Sequence, residues 1–152
     1  MNDVIVRSAN KQDIPVLKEF EQGVIDAERP FDPTLPDSKI HYYDLDYLLS
    51  SEDAELVVVE KDAKIIACGY AMKKRARHYL DHEFYSYLGF MYTHEDFRGQ
   101  GSNAAVIETL KKWSISKGLT EIRLSVYDEN LPAIRAYEKV GFKKHLIEMR
   151  IQ

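Results

Sequence analysis

Cysteine is almost missing from this chain of 152 residues: Cys68 is the only one. An internal disulfide is therefore excluded, and a reducing, cytoplasmic setting is predicted. With one thiol and five scattered histidines no structural zinc set is expected, so no metal is assigned. Long apolar runs are equally scarce. The longest stretch without a charged residue, Phe84 to His94, has 11 residues, far short of the ~18 that cross a bilayer. The amino-terminal MNDVIVRSAN lacks a basic start followed by an apolar stretch, so neither secretion nor membrane residence is predicted. At 45% hydrophobic and 30% charged, the composition is that of a folded domain and not of a disordered chain. No repeat, low-complexity segment or linker interrupts it, and one domain over residues 1–152 is predicted.

The formal charge of −4 hides a segregation. Residues 19–60 carry twelve acids and two bases, whereas residues 61–152 carry sixteen bases and eleven acids. Two ligand chemistries on two halves would produce this pattern, and so would a solvated acidic face.

Periodicity and punctuation give an element order. Val4 to Val6 reads as a strand, and a helix from about Asn10 to Glu28 follows, with Leu17, Val24 and Ile25 inward. Pro30, Pro33 and Pro36 hold a loop from Arg29 to Asp37, and a short helix covers Asp44 to Ser51. Leu56–Glu60 and Ile65–Lys73 read as an antiparallel pair, Glu83–Tyr92 as a further strand, and Gly101–Lys117 as a helix. Glu121–Tyr127 alternates as a strand, Asn130–Val140 is helical, and Phe142–Ile151 is predicted as a last strand. The fold class is α/β: a mixed, mostly antiparallel sheet with helices.

Between a predicted strand and helix lies Phe97-Arg98-Gly99-Gln100-Gly101-Ser102-Asn103. Glycines let backbone amides approach an anion closely, and the helix start adds unpaired N–H groups and partial positive charge. Arg98 can add a charge-assisted donor. Neither a Walker loop nor a dinucleotide fingerprint fits, since no Gly-Lys-Ser/Thr follows and a third glycine is absent. Downstream, Asn130 is followed seven residues later by Tyr137 and then Glu138-Lys139-Val140-Gly141-Phe142.

Strand, Arg-Gly-Gln-Gly, helix, strand and Asn-x6-Tyr-Glu-Lys-x-Gly-Phe together resemble the Gcn5-related N-acetyltransferase (GNAT) superfamily, most specifically from Tyr87 to Phe142. The opening Ile5-x-Arg7-x-Ala9 before Asp13-Ile14 fits the same pattern. The resemblance implies the acyl-CoA N-acyltransferase fold, with helices on both faces and splayed fourth and fifth strands. It implies acetyl-CoA as co-substrate, its pantetheine arm along Met91, Tyr92 and Thr93. The pyrophosphate would sit over the amides of Arg98, Gly99, Gln100, Gly101, Ser102 and Asn103, and the Asn130 amide would contact the arm. Asn103 departs from the family's small residue at its position. Tyr137 matches the tyrosine that protonates the departing thiolate. Dimers are common in the family, so a homodimer is among the implied partners.

Acetyl transfer to an amine needs a base, a stabilised oxyanion and a protonated leaving thiolate. Tyr137, a phenol protonated at neutral pH, suits the last role; a core tyrosine is the structural alternative. Glu83 is the nearest carboxylate to the family's base position, two residues before Tyr85, with an exposed strand-end glutamate as the competing reading. Cys68 reads as a buried strand thiol and not as a nucleophile.

The acceptor end of the family's gap falls here in the acidic half. Asp26, Glu28, Phe31, Tyr43 and Tyr85 are the candidate acceptor contacts, because carboxylates and aromatic faces both favour cations. The expectation is a cationic primary amine, attacking directly. The alternative is a non-catalytic acyl-CoA-binding or regulatory module on the same fold. A nucleic-acid partner is not expected, since Lys73, Lys74, Arg75 and Arg77 are too small a basic footprint in a chain of pI about 5.7.

Overall fold

The computed structural model describes residues 4–152; the first three residues of the expected 1–152 domain lie outside the described part. Strand β1 (Val4–Ser8) leads through a 3₁₀ turn into helix α1 (Ile14–Glu28). The entry is fixed by a capping box in which Asn10 accepts from the Gln12 amide and Asp13 accepts from the Asn10 amide. Asp13 is buried and paired with Arg7 at 2.9 Å, and that guanidinium holds its carboxyl below the ordinary range. Helix α2 (Leu45–Ser50) follows, and then strands β2 (Ala54–Lys61), β3 (Lys64–Arg75) and β4 (Phe84–Thr93). Helix α3 (Ser102–Ser116), strand β5 (Ile122–Leu124) and helix α4 (Leu131–Lys139) complete the order.

The five strands form one sheet in chain order, antiparallel throughout except for the parallel β4–β5 pair. Strand β2 is buried on both faces, which explains its unbroken apolar run. Leu56 and Val58 face α1 and α2, packing with Leu17, Phe20, Leu48 and Phe90. Val57 and Val59 face α3, packing with Ile66, Leu88, Val106 and Leu110. The β2–β3 connection turns through Asp62 and Ala63, both at positive φ (51° and 65°), the twist a tight hairpin demands.

Two features of this sheet build a site. Strand β4 pairs with β5 only over Ser86–Leu88 and Ile122–Leu124, so Gly89 to Thr93 has no partner on that side. In the same stretch the β3–β4 register shifts between Cys68 and Tyr70, and the buried Phe90 sits at φ 56°. The bulge bends β4 away from β5 and opens the split.

Two expectations about the far edge are corrected. The strand expected over Glu121–Tyr127 is hydrogen-bonded only over Ile122–Leu124, because β4 has already diverged beyond Leu88. Phe142–Ile151 is not a strand: Phe142 donates its amide to the Tyr137 carbonyl at 3.0 Å, and the segment after it is exposed and unpaired. Its β-forming residues have no strand beside them with which to bond.

Candidate active site

The end of β4 and the start of α3 form the first part of the site. Gly99 and Gly101 stand at φ 78° and 86°, conformations open to glycine and costly to other residues. Gly101 is the N-cap of α3 and supplies no side-chain cap, so the first-turn amides have no partner within the helix. Ser102 is 3% exposed, yet its hydroxyl has no hydrogen-bond partner among the described residues. A buried, unsatisfied hydroxyl beside uncapped amides at a helix start fits an oxyanion-rich ligand such as a pyrophosphate. Arg98 is held beside it, its Nε donating to the Thr93 carbonyl at 3.0 Å and its guanidinium 5.7 Å from the centre of the Tyr92 ring. Gln100 accepts from Lys61 at 3.2 Å. Asn103 is half-buried in the first turn of the helix.

Along the split, Met91 packs toward α3 and Tyr92 toward α1, where its ring lies 4.8 Å from Phe20. A Cβ on Gly23 would come within 2.7 Å of that ring, so the glycine in α1 is what admits Tyr92. The Cys68 thiol is buried against the Phe90 carbonyl at 3.4 Å, and burial raises its pKa well above the ordinary value. It is a core group.

The second part lies where α1 ends. Glu28, half-buried there, has its pKa raised by desolvation, opposed by the Tyr42 hydroxyl placed to donate to it and helped by the nearby Asp32 charge. Tyr137 of α4 is shifted up to about 12, by burial first and then by the negative charge of Glu28 and by Tyr87. Glu28 and Tyr137, distant in sequence, thus share one electrostatic environment. Asp32 accepts from the Tyr127 hydroxyl at 2.8 Å, and Phe31 stacks on the Tyr127 ring at 6.1 Å. These contacts tie the loop after α1 to the chain leaving β5, and the charges of Asp32 and Glu28 both act on the Tyr42 and Tyr127 phenols.

The segment carrying Tyr42 and Tyr43 is fixed by a residue the sequence reading had not singled out. Glu21 is 2% exposed and accepts from the amides of both tyrosines at 2.8 Å and from His41 at 3.0 Å. Burial pushes its pKa up, but these three donors together bring it below the ordinary value. An acid at an inward-facing position of the α1 pattern was the available signal.

Not every expected site residue joins this cluster. Glu83 stands at the outer end of the β3–β4 hairpin, its side chain 71% exposed and paired with Arg75 at 3.5 Å. Asp26 is paired with Arg29 on the exposed flank of α1. Tyr85 stacks under the Arg123 guanidinium at 5.1 Å, one residue before the paired part of β4 and β5 begins at Ser86. Tyr43 packs at 4.3 Å on Phe90 in the core, with its phenol in the field of Glu28. The Asn130 side chain caps α4, its Oδ1 accepting from the Ala133 amide at 3.3 Å.

Comparison with known proteins accords with this geometry. The family model described as Acetyltransferase (GNAT) family matches residues 21–142. A streptothricin acetyltransferase of Escherichia coli is 44% identical over 45 residues, 30% of this chain and 26% of that protein. The chain thus spans about a quarter of that curated relative. Among solved structures, a predicted acetyltransferase from Clostridium acetobutylicum with acetyl-CoA superposes with a TM-score of 0.74 at 18% identity, covering 98% of this chain and 96% of the other. AAC(6')-Iy in complex with the bisubstrate analogue CoA-S-monomethyl-acetylneamine superposes with a TM-score of 0.72 at 20% identity, covering 98% of each. These likenesses establish the fold.

Proposed function

The chain belongs to the acetyltransferase (GNAT) family, and from that premise we propose that it transfers the acetyl group of acetyl-CoA to a primary amine of a cationic small molecule or peptide, by direct attack. The observation that carries this reading is the split between β4 and β5 beside the uncapped start of α3 with its buried, unsatisfied Ser102 hydroxyl, with Tyr137 in the electrostatic field of Glu28.

Each group then has a role set by its chemistry. The amides and hydroxyl at the start of α3, with Arg98, would hold the pyrophosphate of acetyl-CoA. The unpaired backbone of β4 from Gly89 to Thr93 would run beside the pantetheine arm, and an N–H there would face the carbonyl oxygen as negative charge develops on it. Glu28 would take the proton from the attacking ammonium, directly or through one water, a task its raised pKa suits better than an ordinary carboxylate. Tyr137 stays protonated at neutral pH and would donate to the departing thiolate.

Acceptor choice follows from these carboxylates and phenols. Glu28 and Asp32 supply negative charge, and Tyr42, Tyr127 and Phe31 supply aromatic faces, an environment that attracts a cation and repels an acid. The streptothricin and acetylneamine names among the similar proteins support an amine of this kind. A panel of cationic, neutral and acidic amines, offered with acetyl-CoA and followed by acetylated product, tests the proposal. Turnover is expected with polyamine- and aminoglycoside-like amines and lysine peptides; a preference for acidic amino acids would refute the acceptor class.

A further inference from the structure

The acidic surroundings of Glu28 have a basic counterpart on the same face of the sheet. Paired residues of adjacent strands point their side chains to one side. The register sets Lys74 beside Tyr85, Met72 beside Tyr87, and Tyr87 beside Arg123. These side chains pack on one another: the Lys74 ammonium stands 4.2 Å from the centre of the Tyr87 ring, and the Arg123 guanidinium 5.1 Å from that of Tyr85. Met72 and Tyr87 pack on the core beneath α1 and α2, whereas Ile122 and Leu124, the neighbours of Arg123, face the opposite core. Tyr87 links this group to the reacting centre, because its phenol and Glu28 both act on the Tyr137 phenol.

The two cations keep donors to spare. Lys74 and Arg123 are half-buried. The ion pairs among the described residues leave Lys74 out and engage Arg123 only through Nε, which donates to Glu121 at 2.8 Å. Arg77 lies within electrostatic range of the Tyr85 phenol and adds to the field. Glu83, at the hairpin end, is taken by Arg75. Glu121 thus offsets one positive charge, and the surroundings of Tyr85 stay basic. The terminal nitrogens of a guanidinium present the fork that a carboxylate fits, and an ammonium beside it adds a point charge.

We propose that Lys74 and Arg123 form an anion-binding subsite for the far end of the acceptor, and that the acceptor is a basic amino acid of the lysine type. Its carboxylate sits on this pair and its side-chain amine reaches Glu28 and Tyr137. This rests on the proposed acetyl transfer and names the acceptor class of that same site. Tyr85 and Tyr87 are two residues apart, roughly 7 Å along a strand, a gap that an extended lysine side chain spans. Such an amino acid remains a net cation, in keeping with Glu28 and Asp32. A phosphate monoester at the far end would make the acceptor negative and set it against both carboxylates. In the transfer the side-chain ammonium yields one proton to Glu28. Its nitrogen bonds to the acetyl carbon as the carbon–sulfur bond breaks, Tyr137 protonates the thiolate, and the second nitrogen proton restores Tyr137.

Lysine and lysinamide, which differ only in the carboxylate, test this on the full chain with acetyl-CoA. A site that is acidic throughout would favour lysinamide, the more cationic of the two. The expected result is the reverse: kcat/KM about 30-fold higher for lysine, the scale of charge-assisted hydrogen bonds. The difference should lie in KM, with the acetyl group on the side-chain nitrogen by NMR. Lys74→Gln combined with Arg123→Gln should invert the preference, with circular dichroism confirming the fold. Arg123→Lys, which keeps the charge and loses the fork, should retain part of it. Acetylation of the α-nitrogen, or a preference that survives the double substitution, would overturn the proposal. Calorimetry on the CoA-loaded protein separates its failure from that of acetyl transfer. Tighter binding of lysine than of lysinamide without turnover upholds the subsite and refutes the transfer. Lysinamide turnover equal to or better than that of lysine refutes the subsite and upholds the transfer, and neither binding nor turnover refutes both.

Discussion

Glu28 and Tyr137 are the residues on which the chemical reading turns, and each makes a separable prediction. Tyr137→Phe removes the donor to the thiolate while keeping the ring that packs at 6.0 Å from Phe142. Turnover is expected to fall about 100-fold, the scale of a lost general acid, with acetyl-CoA binding measured by calorimetry unchanged. Glu28→Gln should lower turnover by a similar factor and remove the acidic limb of the rate profile. Its effect on stability has a definite sign. The folded-state pKa of Glu28 lies above the ordinary 4.5, so the folded protein binds that proton more tightly than the unfolded chain. The group therefore stabilises the fold below pH 4.5 and loses that contribution as pH rises through the folded value. Thermal unfolding should show Glu28→Gln more stable than wild type at pH 7, with the advantage shrinking toward pH 4.

At the level of elements, α1 does more than cover the sheet. Through Glu21 it holds the 41–43 segment that carries Tyr42 to Glu28. Glu21→Ala leaves two part-buried amides without their acceptor and is expected to cost about 2 kcal/mol in denaturant unfolding. The lowered pKa of Glu21 gives it the opposite linkage to Glu28: its contribution is present above the ordinary 4.5 and is lost as pH falls through the lower folded value. At the start of α3, Gly101→Ala forces a side chain into φ 86°. A cost of about 1–2 kcal/mol is expected, together with weaker acetyl-CoA binding in calorimetry. Elements whose signal is local were readable in the sequence: the α1 helix, the antiparallel β2–β3 pair, and the Gly-x-Gly start of α3. Phe142–Ile151 was misread because β-branched, alternating residues state a preference, whereas a strand also needs a neighbour, and none lies beside this segment within the chain. Glu83 was legible as the carboxylate nearest the expected base position along the chain, but its exposure and its pairing with Arg75 at the hairpin end were not, because they depend on where the β3–β4 connection turns. The influence of Glu28 on Tyr137 was not legible either, since it joins residues distant in sequence.

Over the whole molecule, the segregation of charge acquires a structural meaning. The acidic residues 19–60 include most of α1, all of α2 and the loop that carries Phe31 and Asp32, and the basic half carries the split strands and the start of α3. Among the described residues no helix is long and apolar enough to cross a membrane. If the two halves face a cationic acceptor and a polyanionic co-substrate, raising ionic strength should raise the KM for both, because exposed charges are screened within about 10 Å at 0.1 M salt. The most direct test of the central claim is thiol release from acetyl-CoA by the wild-type protein, measured with and without a cationic amine. Release that depends on the amine and drops about 100-fold in Tyr137→Phe is the predicted result. Acetyl-CoA binding without any amine-dependent release would contradict it and mark the chain as a non-catalytic acyl-CoA-binding module.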